Sequence, residues 1–103
     1  MSKFHVLWEL DTTKLPDKPE ELISIFNKLL NMVKEELEIE RKTTHKTDWG
    51  IYPGGDAGYG IYEGTEHEVA LELMKYSPYV KFKVYPVLSV YQELENLKKL
   101  SQA

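Results

Sequence analysis

The first ten residues alternate between two kinds of side chain. One side of an extended chain carries only apolar residues, and the other side is mixed. The apolar set is Phe4, Val6, Trp8 and Leu10, and the mixed set is Lys3, His5, Leu7 and Glu9. This period of two predicts a strand over residues 3–10 with one fully apolar face.

Apolar residues recur at helical spacing in three later segments. The predicted helices cover residues 19–38, 65–76 and 90–100. Each follows a side-chain acceptor placed three residues before Glu or Gln, which is the spacing of a capping box. The three acceptors are Asp17, Thr65 and Ser89. Pro78 ends the second helix, because the residue before a proline disfavours the helical conformation.

The remaining segments predict three more strands. Residues 39–48 are polar and rich in threonine, which suits an edge strand. Residues 53–58 contain Pro and three Gly and predict a hairpin turn before a short strand over 59–63. The last strand covers 80–88, and Pro86 places it at an edge because proline donates no ladder hydrogen bond.

The resulting order is β-α-β-β-α-β-α. It predicts an α+β fold, a ferredoxin-like βαββαβ sandwich with a short C-terminal helix and strand order 4-1-3-2. The apolar first strand suits a central position in that sheet. With 103 residues and no internal repeat or low-complexity tract, we expect residues 1–103 to form a single domain.

Composition narrows the classes of function. The chain has no cysteine, which excludes disulfides, thiolate metal sites and cysteine nucleophiles. A formal net charge of -4, with 17 acidic and 13 basic residues, argues against binding to a nucleic-acid backbone. No apolar run approaches the roughly 18 residues of a membrane span, and the polar start argues against a signal peptide. We therefore expect a soluble, cytoplasmic protein that is not bound to a membrane.

The predicted sheet has two unequal faces. The helix-covered face is assigned Phe4, Val6, Trp8, Ile61, Val80, Phe82 and Val84. The opposite face is assigned His5, Leu7, Glu9, Gly60, Tyr62, Lys81, Lys83 and Tyr85. Tyrosines and a leucine among charges form an amphipathic patch, which more often marks an interface or a ligand groove than an idle surface.

Several segments resemble a group of small uncharacterised dimeric α/β-barrel proteins. The resemblance lies in residues 58–63, 68–74 and 80–88, and residues 4–6 with 14–17 are similar to muconolactone isomerases of the same superfamily. The similar residues are those that form strands and helices, and they do not include a complete set of catalytic residues. No catalytic residue of the family is therefore assigned to this sequence. The resemblance implies a homodimer whose two sheets enclose a lumen, sometimes within a larger ring. The superfamily also contains cofactor-free monooxygenases, haem-degrading enzymes and small-ligand sensors.

The mixed face supplies the candidate site. His5 and Glu9 are the candidate acid–base residues, since histidine titrates near neutrality. Tyr62, Lys83 and Tyr85 are the candidate ligand-binding residues, and Lys83 is expected to pair with Glu9 or with the ligand. The alternatives are a solvated polar face and tyrosines that form a dimer seam.

No metal or cofactor is expected. His45 and Asp48 do not make the three or four converging ligands of a metal site, and nothing specific marks a haem ligand. The glycine-rich segment 53–60 lacks the Lys-Ser/Thr of a phosphate-binding loop and leads into a strand.

These features predict a metal-independent enzyme or binder that acts on a compact organic molecule in the lumen. The most specific version of this prediction is an isomerase or an oxygenase that uses no cofactor. The alternative is a non-catalytic ligand sensor or a purely structural dimer. A lumen lined by His5, Glu9, Tyr62 and Lys83 favours chemistry, whereas a lumen filled by Leu7, Tyr62 and Tyr85 favours structure.

Overall fold

The structure, a computed structural model, describes residues 2–39 and 45–102. Its strands are β1 (Ser2–Leu10), β2 (His45–Ile51), β3 (Ala57–Gly64) and β4 (Val80–Val87). Its α-helices are α1 (Pro19–Glu38), α2 (Glu66–Met74) and α3 (Val90–Ser101), and a short 3-10 helix covers Thr12–Lys14.

The four strands form one antiparallel sheet in the order β2-β3-β1-β4. This confirms the predicted α+β class and the predicted strand order, with the apolar β1 inside and the polar β2 and proline-containing β4 at the edges. The order of elements and strands is consistent with a ferredoxin-like arrangement.

Two of the three predicted caps are confirmed. The side chains of Thr65 and Ser89 each accept a hydrogen bond from the backbone N–H three residues on. The side chains of Glu68 and Gln92 accept in turn from the backbone N–H of Thr65 and Ser89. The cap predicted at Asp17 is wrong. α1 spans the predicted 19–38, but its N-cap is Lys18, which makes no side-chain cap hydrogen bond. Pro19 sets the helical φ in the first turn, where no intrahelical donor is lost.

The second strand begins later than predicted. Ile39 ends α1, and β2 runs from His45 to Ile51, so that it includes Trp49 as well as the polar stretch. Residues 40–44 of the predicted strand lie outside the described residues. The predicted hairpin is confirmed, since the Tyr52 N–H donates to the Ala57 carbonyl oxygen. Gly55 in this turn has φ +85, which glycine adopts without steric cost.

All packing of α1 and α2 is on one face of the sheet. α1 lies against β2, and α2 lies against β3. The cluster beneath α2 contains Phe4, Val6, Tyr62, Val69 and Leu73. The cluster beneath α1 contains Leu29, Val33 and Tyr76, and Phe82 packs against both clusters. We call this the helix side of the sheet and the opposite face the open side.

The structure corrects the assignment of β3 to the two faces. Cross-strand partners are Phe4 with Tyr62 and His5 with Ile61, and facing partners share a side of the sheet. Tyr62 therefore lies on the helix side, only 3% exposed, and Ile61 lies on the open side. Gly60, which pairs with Val6, also belongs to the helix side. The prediction placed β3 one residue out of phase, and because side chains alternate along a strand, this assigns every β3 residue to the wrong face.

The third helix extends away from the sheet. Its residues Val90–Ser101 are all exposed, including Leu94 and Leu97 of its apolar stripe. Within the described ranges, no helix is long and apolar enough to cross a membrane.

Candidate functional site

A cavity of about 260 Å³ lies between α1 and the helix side of the sheet. We call it the α1 cavity. Its lining is almost entirely apolar and comes from every strand and from α1. The lining includes Val6, Trp8, Leu10, Phe26, Leu29, Val33, Trp49, Val80 and Phe82. A concave, apolar space with few polar groups is the usual form of a small-molecule site.

Two stacked tryptophans form one wall of this cavity. The rings of Trp8 and Trp49 lie 5.4 Å apart between centroids, with planes 6° apart. The indole N–H of Trp8 donates to the Gly50 carbonyl oxygen over 3.2 Å, which fixes the ring. Gly58 makes room beneath it, because a Cβ on Gly58 would lie 2.6 Å from the Trp8 ring. Glycine on β3 thus allows two large rings to lie flat on the sheet.

The polar end of the α1 cavity is a buried ion pair with tyrosine neighbours. Lys46 Nζ lies 2.9 Å from Glu36 Oε2, and the two side chains are 2% and 6% exposed. Lys46 Nζ also donates to the Tyr76 hydroxyl over 3.1 Å. The same nitrogen lies 5.1 Å from the ring centroid of Tyr62 and 5.0 Å from that of Tyr76, within cation–π range.

The folding of three elements assembles this polar end. Glu36 follows Leu29 and Val33 at helical spacing, so it lies on the buried stripe of α1 rather than on its solvated face. Lys46 is opposite Tyr62 in the β2–β3 register and so faces the same side of the sheet. Tyr76 follows α2, where its backbone N–H donates to the Leu73 carbonyl oxygen.

The environment keeps both tyrosines protonated. Burial raises the pKa of Tyr62 well above its usual value of 10.0, and the negative charge of Glu36 adds to that shift. Burial, followed by the charge of Glu36, raises the pKa of Tyr76 in the same direction. Both hydroxyls therefore keep their protons through the physiological range. Among residues 2–39 and 45–102, the structure gives the Tyr62 hydroxyl no hydrogen-bond partner.

The residues of the predicted site are distributed over both sides of the sheet. His5, Glu9, Lys83 and Tyr85 lie on the open side as predicted, whereas Tyr62 does not. His5 is opposite Tyr85, and Leu7 is opposite Lys83. An open depression of about 410 Å³ is lined by Glu9 and Lys83 together with Leu7 and Lys81. The structure therefore groups Glu9 with Lys83 and His5 with Tyr85.

Within a single chain Glu9 does not pair with Lys83, and the pairing expected in a lumen, with each other or with a ligand, stays a prediction. The register places Lys81, rather than Lys83, opposite Glu9. Within the described residues, neither lysine comes within ion-pair distance of this carboxylate. Because Glu9 and Lys81 are both exposed, solvent satisfies them without a direct contact.

The open side also contains a contact that the sequence did not predict. The Tyr59 hydroxyl donates to Asp48 Oδ2 over 2.8 Å, and the Tyr59 ring lies over Gly50. This hydrogen bond to Asp48 raises the pKa of Tyr59. The His5 and Tyr59 rings are 6.3 Å apart between centroids. Asp48, Tyr59 and His5 therefore form a polar row across three strands.

The sequence contained one usable signal for the α1 cavity. Glu36 is a carboxylate at an apolar position of the α1 stripe, and a buried carboxylate requires a partner. Lys46 had no such signal, because it stands in a stretch that is polar throughout. In the part of the chain that the structure describes, no group of three or more His, Cys, Asp or Glu could hold a metal ion.

Comparison with family models, with curated proteins and with solved structures found no match for this chain. The functional argument therefore depends on the geometry of the site itself.

Proposed function

We propose that the protein binds a compact, largely apolar organic molecule in the α1 cavity. The observation that carries this proposal is the 260 Å³ apolar space beside the buried Glu36–Lys46 ion pair. An engineered apolar cavity of about 150 Å³ takes up benzene, so this space suits a molecule of one or two rings. The two tryptophan rings offer a flat wall for stacking.

The residues at the polar end support binding rather than turnover. Lys46 and Glu36 neutralise each other at 2.9 Å, and Tyr76 accepts a hydrogen bond from Lys46. The Lys46 nitrogen is occupied by these two contacts, and the neighbouring tyrosines stay protonated, so none of these groups is presented as a free nucleophile. The pair therefore serves to orient one end of a bound molecule.

Nuclear magnetic resonance of the indole N–H groups tests this proposal directly. The chain has two tryptophans, and both Trp8 and Trp49 line the α1 cavity. Titration with the bicyclic hydrocarbon indane should shift both indole resonances with saturation. Val33→Phe fills the cavity and should abolish the shifts. Ile23→Phe, on the exposed side of the same helix, is the matched control and should leave them unchanged.

Two results contradict the proposal. One is the absence of a saturable shift in the unaltered protein. The other is an unchanged shift in Val33→Phe, since that would place the hydrocarbon outside the α1 cavity.

A second copy of the chain is the proposed partner for the open side, and the two sheets would then face each other as in the dimeric barrels. The charge pattern supports this assembly. Lys81 and Lys83 lie on edge strand β4, whereas Asp48 lies on the opposite edge strand β2. A two-fold axis parallel to the strands would place β4 over the second copy's β2, with opposite charges in contact. Leu7 and Ile61 would lie near the centre.

Charge reversal tests this assembly. Lys83→Glu should convert a dimer to a monomer in light scattering, and Asp48→Lys added to it should restore the dimer. Rescue would report a contact between two copies. Within one copy, two strands separate β2 from β4, and neighbouring strands are about 4.8 Å apart, so the two side chains are too far apart to pair. Lys34→Glu, on the exposed side of α1, is the control. A monomeric unaltered protein, or a dimer that Lys83→Glu leaves intact, would refute the arrangement.

A further inference from the structure

We infer that the molecule bound in the α1 cavity carries a neutral carbonyl oxygen, which accepts a hydrogen bond from the Tyr62 hydroxyl. This inference rests on the proposed function and deepens it by naming the chemical class of the ligand. It assigns Tyr62 as the residue that selects this class.

The first argument is an unused donor in a buried residue. Tyr62 is 3% exposed and lines the α1 cavity, yet its hydroxyl makes no hydrogen bond to another described residue. A donor of a largely buried residue that no described protein group uses is available to a ligand that enters the cavity. The neighbouring Tyr76 differs, since its hydroxyl accepts from Lys46 over 3.1 Å. A ligand oxygen would supply what Tyr62 lacks.

The second argument concerns the direction of the hydrogen bond. The burial of Tyr62 and the nearby charge of Glu36 favour its neutral, protonated form. A protonated hydroxyl offers its hydrogen to an acceptor. The ligand must therefore present an acceptor oxygen at this point.

The third argument concerns the charge of that acceptor. Two buried carboxylates stand near Tyr62, and each has a lysine partner: Glu36 with Lys46 at 2.9 Å and Glu72 with Lys75 at 3.1 Å. The negative charges of Glu36 and Glu72 both act on the Tyr62 hydroxyl and raise its pKa. A ligand carboxylate at this point would add a third negative charge beside them, whereas a neutral oxygen would not. A ketone, amide or ester carbonyl meets both requirements.

Three probes of one shape separate these possibilities. They are indane, its ketone 1-indanone, and indane-1-carboxylate, each titrated against the indole N–H resonances of Trp8 and Trp49. The unaltered protein should bind 1-indanone more tightly than indane, and the carboxylate most weakly. Tyr62→Phe keeps the ring and removes only the hydroxyl. It should weaken 1-indanone about 3- to 10-fold and leave indane unchanged.

Tyr91→Phe is the matched control, because Tyr91 is 80% exposed on α3. An infrared measurement gives a second readout that does not depend on the variant folding. The carbonyl stretch of isotopically labelled 1-indanone bound to the unaltered protein should lie at lower frequency than in cyclohexane, a solvent that donates no hydrogen bond. That shift should be absent in Tyr62→Phe.

The outcomes distinguish this inference from the proposed function. If indane binds but Tyr62→Phe leaves the 1-indanone affinity and carbonyl frequency unchanged, the carbonyl inference is wrong and the cavity proposal stands. Tighter binding of the carboxylate than of the ketone would also overturn the inference. If none of the three probes shifts the indole resonances, both proposals fail.

Discussion

The two sides of the sheet use the same four strands for opposite purposes. On the helix side, large rings and aliphatic side chains enclose the α1 cavity, and its ion pair is almost fully buried. On the open side, charges and aromatic rings alternate without a tight ion pair among the described residues. The difference follows from the period of two, which gives each strand two independent chemistries. A site on one side can therefore be altered without changing the other.

Two tyrosines on β3 show how the side of the sheet determines the environment of a hydroxyl group. Tyr62 is buried on the helix side, and burial is the main cause that raises its pKa. Tyr59 lies on the open side, where a hydrogen bond to Asp48 is the main cause of its raised pKa. The first hydroxyl is available to a ligand in the cavity, whereas the second is already used within the sheet.

The largest effect should come from breaking the buried ion pair. Lys46→Met leaves the Glu36 carboxylate buried without its counter-ion, and removing one partner of such a pair typically costs about 3–5 kcal/mol. Urea denaturation should therefore show a large loss of unfolding free energy. On the open side, Lys81→Met should change it by less than about 0.5 kcal/mol.

The double variant Glu36→Leu/Lys46→Met sharpens this prediction. Replacing both charges by apolar side chains of similar size is often neutral or stabilising. The double variant should therefore recover most of the stability that Lys46→Met loses. A double variant no more stable than the single one would mean that Lys46 stabilises the fold mainly through contacts other than Glu36.

Glycine substitutions should give the next largest difference between the sides. A Cβ on Gly58 would collide with the Gly50 carbonyl oxygen and the Trp8 ring, neither of which moves easily. Gly58→Ala should cost about 1–3 kcal/mol or more. The nearest atoms to a Cβ on Gly50 all belong to the Tyr59 ring, a side chain that can rotate away at the cost of its hydrogen bond to Asp48. Thermal unfolding of the two alanine variants should show a much smaller loss for Gly50→Ala, and equal losses would contradict this reasoning.

The sequence predicted the fold well because its strongest signals are local. The bounds of α1, the capping boxes at Thr65 and Ser89 and the edge positions of β2 and β4 all follow from spacing and from single residues such as Pro86. The prediction of which β3 residues face the helices was wrong for a physical reason. Tyr59, Ile61 and Tyr62 are all partly apolar, so alternation alone does not say which of them faces the helices.

The candidate site was harder to predict because it depends on contacts between distant residues. Tyr62 was predicted as a ligand-binding residue of the open side, but it lies on the helix side of the sheet. Lys46 and Glu36 are ten residues apart and meet only when α1 and β2 pack together. The α1 cavity itself depends on Gly58 lying beneath Trp8, a relation set by the β1–β3 register.

Alkaline pH should reveal the buried tyrosines. The pKa values of Tyr62 and Tyr76 are raised in the folded state, whereas in the unfolded chain they return to about 10. Their contribution to stability is thus fully present below pH 10 and is lost progressively as the pH rises above it. Each contributes at most about 1.4 kcal/mol per pH unit.

Absorbance titration of tyrosinate checks this order of events. Tyr62 and Tyr76 should ionise only together with unfolding, because burial raises the pKa of both hydroxyls in the folded state. Replacing Tyr62 by Phe should make the loss of stability with pH less steep. Ionisation of all tyrosines near pH 10 without loss of structure would contradict the burial argument.

His5→Ala should have only a small effect on stability, and it tests on which side a ligand binds. His5 is half-buried on the open side, with Ile61 and Tyr85 as its cross-strand neighbours, so its loss should change the unfolding free energy by less than about 1 kcal/mol. Because the Cβ of His5 points away from the α1 cavity, indane should still shift the indole resonances of Trp8 and Trp49 with unchanged affinity. The matched change on the helix side is Tyr62→Phe, which should weaken the binding of 1-indanone and leave that of indane unchanged. If His5→Ala instead abolishes binding while the fold and the assembly stay intact, the ligand lies between facing sheets. The acid–base role predicted for His5 and Glu9 would then become the leading hypothesis.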